Sequence, residues 1–179
     1  MNVKEKFFFS LKNVDQKLKC LVLIADSPLS NILELSSHPQ SISEKIAQTA
    51  ERYVGSTHWS FASGCCHGPN TNKCNYFVYD VGREAGADMP TRSFFRGPIG
   101  AGTGGWGTSS KVDYWKRVTS PQRGDVVAAH YPFGAYHMGI YVGPKTTVSA
   151  NTHDIGRNEW PFGTGKRGGV NIVYWRYKG

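Results

Sequence analysis

The chain has 179 residues, 39% hydrophobic and 13% aromatic, which is enough apolar matter for one buried core of ordinary size. Charged residues make up 19%, too few for a disordered or coiled-coil chain, and 21 glycines with 9 prolines argue against a helix bundle. Lys and Arg outnumber Asp and Glu by 21 to 13; the formal charge of +8 suits a polyanionic partner, whether nucleic acid, an anionic membrane surface or a bacterial cell wall.

Residues 1–40 hold two short apolar runs, Phe7-Phe8-Phe9 and residues 20–25, separated by a stretch that includes Lys17 and Lys19. Neither run is long enough for a signal-peptide core, and no stretch approaches the roughly 20 apolar residues of a membrane span. The expectation is a chain made in the cytoplasm without an ordinary signal peptide. Residues 1–40 also lack Gly and Trp and run into Ser36-Ser37-His38-Pro39, so they are expected to be an extension of unknown role preceding a domain at 41–179. Ser41-Ile42-Ser43-Glu44 is a capping-box pattern, and Ile42, Ile46, Ala50, Tyr53 and Val54 recur behind it at helical spacing up to Gly55. Residues 56–72, crowded with Gly, Ser, His and Asn, read as a loop. A second helix begins after Thr71 or Asn72 as cap, buries Phe77, Val78, Val81 and Ala85, and stops at Gly86. Residues 91–124 look irregular; the Gly-rich run 97–107 lacks the Lys-Ser/Thr ending of a phosphate loop and reads as a flexible flap beside a cleft. Strands are expected at 125–129, 137–142, 146–151 and 170–177. Two helices followed by a mostly antiparallel sheet make the fold class α+β.

Cys74 falls in the first turn of the second helix, where unpaired backbone N–H groups and the positive end of the helix dipole gather. Both favour a thiolate, Lys73 adds a positive charge, and the same N–H groups can hold an oxyanion. Of six histidines, His137 opens an apolar strand and can hold an imidazole against that helix start as general base. A third group should orient the ring. Strand alternation puts Ser149, Asn151 and His153 on one face, and Asn151 is preferred for the reach of its side-chain carbonyl. The other cysteines, Cys20, Cys65 and Cys66, show no C-x-x-C spacing; neither a metal site, a cofactor nor a disulfide framework is expected.

Taken together, these stretches resemble a known family. Asn72-Lys73-Cys74-Asn75-Tyr76-Phe77-Val78 resembles the nucleophile motif of papain-like bacterial cell-wall hydrolases, the NlpC-type and CHAP amidases. Pro121-Gln122-Arg123-Gly124-Asp125-Val126-Val127 resembles their Pro-x-x-Gly-Asp strand, and His137-Met138-Gly139-Ile140-Tyr141-Val142-Gly143 their catalytic His strand. The three follow in the family's order across residues 42–177. The resemblance implies a papain-like fold, with the nucleophile helix packed on a mostly antiparallel sheet, and amide hydrolysis in the stem peptide of peptidoglycan or at the stem–sugar amide. It places Ser149 at the third-group position of the NlpC type, with Asn151 one step further on the same face. Gly55-Ser56-Thr57-x-Trp59 and Asn158-Glu159-Trp160-Pro161-Phe162 look most like amidase effectors delivered by type VI secretion. Such effectors meet a secretion apparatus, act in the periplasm of a target bacterium and have a cognate immunity protein that blocks the cleft.

Trp59, Trp106, Trp115 and Trp160 lie in or beside loops, where they can serve a core or stack on substrate; Trp59 and His58, just ahead of the nucleophile, rank first as substrate-binding residues. The basic residues are scattered and carry no nucleic-acid motif, so no nucleic-acid partner is expected. Two other readings fit the same residues. One is a phage endolysin of the same chemistry; the other is a wall- or nucleic-acid-binding protein on this scaffold without catalysis.

Overall fold

The computed structural model describes residues 39–92, 97–102, 104–159 and 169–179; the expected extension at 1–40 lies almost wholly outside them, as does Trp160. Residues from Ser41 onward make one compact unit, whose described residues form two α-helices and a six-stranded antiparallel sheet, an α+β architecture.

Helix α1 is Ile42–Arg52. Ser41 Oγ accepts from the Glu44 N–H at 3.2 Å, which satisfies one of the orphan donors at the helix start. The other half of the capping box is diverted, since the Glu44 carboxylate accepts from Arg123 Nε at 3.0 and 3.1 Å. Ile46, Ala47 and Ala50 face the core. Helix α2 is Cys74–Glu84, buries Phe77, Val78 and Val81, and starts one residue later than the expected caps allow. Lys73 is its N-cap and offers no side-chain cap, while Thr71 turns back to donate to Gly68 O at 2.8 Å.

The strands are β1 (Trp115–Val118), β2 (Val126–His130), β3 (Tyr136–Gly143), β4 (Thr146–Ala150), β5 (Ile155–Glu159) and β6 (Asn171–Tyr177), in the order β1-β6-β2-β3-β4-β5. Four match the expected strands to within a residue or so. The two edge strands, β1 and β5, were not expected: Trp-Lys-Arg-Val and Ile-Gly-Arg-Asn-Glu are short, polar and lack a β-branched run. Hydrogen bonding to a neighbour makes them strands, and their charges suit sheet edges.

All of β2 except His130 is buried, because both of its faces are covered. Val126 and Ala128 join the main core with α1, α2, Met138, Ile140 and Val148, while Val127 and Ala129 join Tyr174 in a smaller cluster on the other face. Trp106, Trp115 and Trp175 pack edge to face in the main core, with centroids 5.1 Å apart for the first pair and 6.1 Å for Trp106 and Trp175. Trp175 Nε1 donates to Trp106 O at 2.7 Å. The glycine run around Trp106 is thus anchored rather than a free flap: Trp106 N–H donates to Gly100 O and Gly107 N–H to Ala101 O.

The Gly-Asp turn before β2 is a structural fastening. Asp125, fully buried, accepts from the Gln122 N–H at 2.6 Å and from Arg176 of β6 at 3.0 and 2.8 Å. Those partners offset the cost of removing a carboxylate from water. Arg123, in the same turn, joins Glu44 and Glu51 of α1 and the Val142 carbonyl of β3, tying helix to sheet.

Candidate active site

A cavity of about 260 Å³ opens where the start of α2 meets the start of β3 and the end of β4. Cys74 and His137 both line it, with Phe61, Thr71 and Asn72 on the loop side and Asn151 and Thr152 on the sheet side. The described residues of the glycine run take no part in the lining. The loop 56–72 is tied across the cavity by the Phe61 N–H, which donates to Thr152 O at 2.9 Å.

Cys74 is the first residue of α2, so its sulfur sits at the helix start, beside the backbone N–H groups of Cys74 itself, Asn75 and, from β3, Met138. These donors favour the thiolate, yet burial opposes them more strongly and the thiol is pushed above its ordinary value. This corrects the expectation of a depressed pKa. The second reason is Lys73, whose side-chain nitrogen does not serve the thiol. It is buried and donates to Ser60 O, Phe61 O and Thr71 O at 3.1, 3.3 and 3.1 Å, which uses all three of its donors.

His137 is also shifted by burial, down to about 4 from 6.5. At neutral pH the resting pair is therefore a neutral thiol and a neutral imidazole.

Of the candidates for the third group, Ser149 meets the His137 ring directly and Asn151 lines the same cavity. Extending the register Ile140↔Val148 along β3 and β4 sets His137 across from Asn151, but the ring leans to the diagonal neighbour, and His137 Nε2 meets Ser149 Oγ at 3.1 Å. Asn158 on β5, which the reading of side-chain roles had not singled out, donates from Nδ2 both to Ser149 Oγ and to Asn151 Oδ1, the latter at 3.2 Å. Asn151 lines the cavity and braces Asn158. His153 is exposed and does not line the cavity.

Two glycines make room for this network. A Cβ on Gly139 would fall 2.6 Å from Val148 O and 2.8 Å from Ser149 Cβ, and one on Gly156 would fall 2.2 Å from Asn151 Nδ2.

Trp59 and His58 are not in the cavity lining. Trp59 is 5% exposed, its Nε1 donates to Asp80 Oδ2 at 2.8 Å, and its ring packs against Tyr53 and Phe77 with centroids 4.9 and 5.4 Å away. It is a core residue, correcting the expectation of substrate contact. His58 is exposed, set edge-on to Trp59, and its ligand nitrogen comes within 4.8 Å of the sulfurs of Cys65 and Cys66. Among the described residues this is the group whose donors suit a metal, and sequence spacing alone had argued against one. Trp106 and Trp115 are likewise buried. No helix among the described residues is long and apolar enough to cross a membrane.

No family model matches the chain, and no curated protein matches it.

Proposed function

We propose that the chain is a cysteine amidase or endopeptidase of papain-like architecture that cuts an amide bond in peptidoglycan. The observation that carries the reading is the shared cavity: a cysteine at a helix N-terminus and a strand histidine line it together, and Nε2 of that histidine is engaged by Ser149. The order of the Cys, Gly-Asp and His motifs and the charge of +8 support a wall substrate.

The geometry suggests the following course. In the tautomer that carries its proton on Nε2, His137 donates to Ser149 Oγ, which also accepts from Asn158, and Nδ1 is the basic nitrogen of the ring. Because thiol and imidazole rest neutral, the Cys74 proton passes to Nδ1 as the sulfur attacks the amide carbonyl carbon. Backbone N–H groups at the start of α2 hold the oxyanion. The imidazolium returns its proton to the leaving amine, and water, activated by the same ring, hydrolyses the thioester. In this reading the enzyme is a secreted antibacterial effector, delivered by type VI secretion and restrained by an immunity protein that fills the cleft.

Cys74→Ala should abolish release of fragments from defined muropeptides, read by mass spectrometry, with an unchanged circular dichroism spectrum. Retained cleavage overturns the mechanism. A second reading, a non-catalytic wall-binding protein, is favoured by one observation: Cys74 is only 8% exposed, as an inert core cysteine would be. Alkylation of Cys74 that is slowed at least tenfold in His137→Ala supports the enzyme; equal, slow alkylation in both supports the binder.

A further inference from the structure

We propose that His58, Cys65 and Cys66 bind one thiophilic cation of the zinc class, at a site separate from the cavity of Cys74 and His137. Their ligand atoms already lie within 4.8 Å of one another. Zinc bonds of about 2.3 Å to sulfur and about 2.0–2.1 Å to nitrogen imply ligand-to-ligand edges of about 3.5–3.8 Å in a tetrahedron. Side-chain rotations of about an ångström would therefore bring all three onto one ion. The Cys65 and Cys66 sulfurs, 2.7 Å apart, would open and the histidine would close.

Neighbouring side chains in an extended chain point to opposite sides, so adjacent cysteines do not ordinarily share an ion. Here Cys66 is in the left-handed region, φ 63°, which swings its sulfur back to that of Cys65. The Cys65 backbone is held on both sides, its N–H donating to Ser63 Oγ at 3.1 Å and its carbonyl accepting from the Gly68 N–H at 3.0 Å. His58 reaches the pair from the other arm of the loop, set edge-on to buried Trp59. Two thiolates and an imidazole balance a divalent charge and select a soft, closed-shell ion over Mg²⁺ or Ca²⁺. Because His58 and Cys66 are exposed, a fourth position is open to water. A disulfide between Cys65 and Cys66 would make no use of the imidazole, which is why the metal is the favoured occupant.

The site would clip the loop that carries Phe61 and Thr71 into the cavity wall, and it stands or falls independently of the proposed catalysis. The test is a Co²⁺ titration of the full chain, fully reduced and under nitrogen, in a Cys74→Ala background so that the cleft thiol contributes nothing. One equivalent should bind with a thiolate-to-cobalt charge-transfer band and be displaced by Zn²⁺. Cys66→Ser should abolish the band, and His58→Gln should weaken binding at least tenfold. Three results would each overturn the site: no band in the reduced chain, a band that survives Cys66→Ser, or unchanged affinity in His58→Gln. A peptide map showing Cys65 linked to Cys66, joined to absence of Co²⁺ binding after reduction, would assign the pair to disulfide chemistry instead.

Discussion

At His137 the fold imposes a proton inventory that can be measured. Burial holds its pKa at about 4, whereas an unfolded chain binds the proton at about 6.5. Between those values the unfolded state carries more protons, so stability falls as pH drops from 6.5 towards 4 and is flat in this group below that. The loss over the window is about 3 kcal/mol. Urea titrations should show His137→Gln losing less stability than the parent over this range by about that amount; parallel curves would mean the ring is not buried as described. The neighbouring choice between Ser149 and Asn151 is equally open to measurement. Ser149→Ala removes the partner of Nε2 and should lower kcat/KM on muropeptides by about 10- to 100-fold, the worth of a hydrogen bond to a group that becomes charged. Asn151→Ala should cost less, because Asn151 acts on Ser149 only through Asn158; the reverse order would restore Asn151 as the orienting residue. Alternation along β4 was legible in the sequence and named both residues. The lean of a ring towards a diagonal neighbour was not, because it depends on side-chain torsions and on how closely Gly139 lets β3 and β4 approach.

Among the elements, both helices and the four inner strands could be read from the chain, because each carries a periodic apolar face or a short apolar run and is punctuated by Gly or Pro. Strands β1 and β5 could not, since their order comes from the neighbour they pair with. The start of α2 shows a different kind of miss. Charge next to a cysteine suggested electrostatic help, but the local fold spends Lys73 on three loop carbonyls. Lys73 is therefore an internal brace for the loop 56–72. Lys73→Met keeps the stem's bulk and removes the donors, so it should destabilise the chain by about 2–3 kcal/mol, with buried carbonyls left short of partners. Equilibrium denaturation measures this directly, and an unchanged midpoint would show that the loop is held by its other contacts. The glycine run around Trp106 makes the same point from the opposite side: composition suggested mobility, while one large buried side chain fixes the segment.

Across the whole unit, long-range fastenings divide the sheet into two parts. The strands β2 to β5 follow one another in sequence and pair in that order, a local meander that contains His137, Ser149 and Asn158. Beyond it, β6 docks on β2 and β1 docks on β6, closed by the Asp125–Arg176 pair and the tryptophan cluster. Strand β6 itself was foreseen at 170–177, but its docking and the whole of β1 were not, because they join residues far apart along the chain and sequence periodicity reports only near neighbours. Loop closure makes distant pairings the slower ones to form, so the two parts should acquire their order at different times during refolding. Pulsed hydrogen exchange should find amides of the β3–β4 ladder protected ahead of those joining β1 to β6; simultaneous protection would show one concerted step. With that order, a nascent chain already holds its imidazole network while the outer strands are still undocked. The last event in folding is then the sealing of the sheet's far end rather than the assembly of the site.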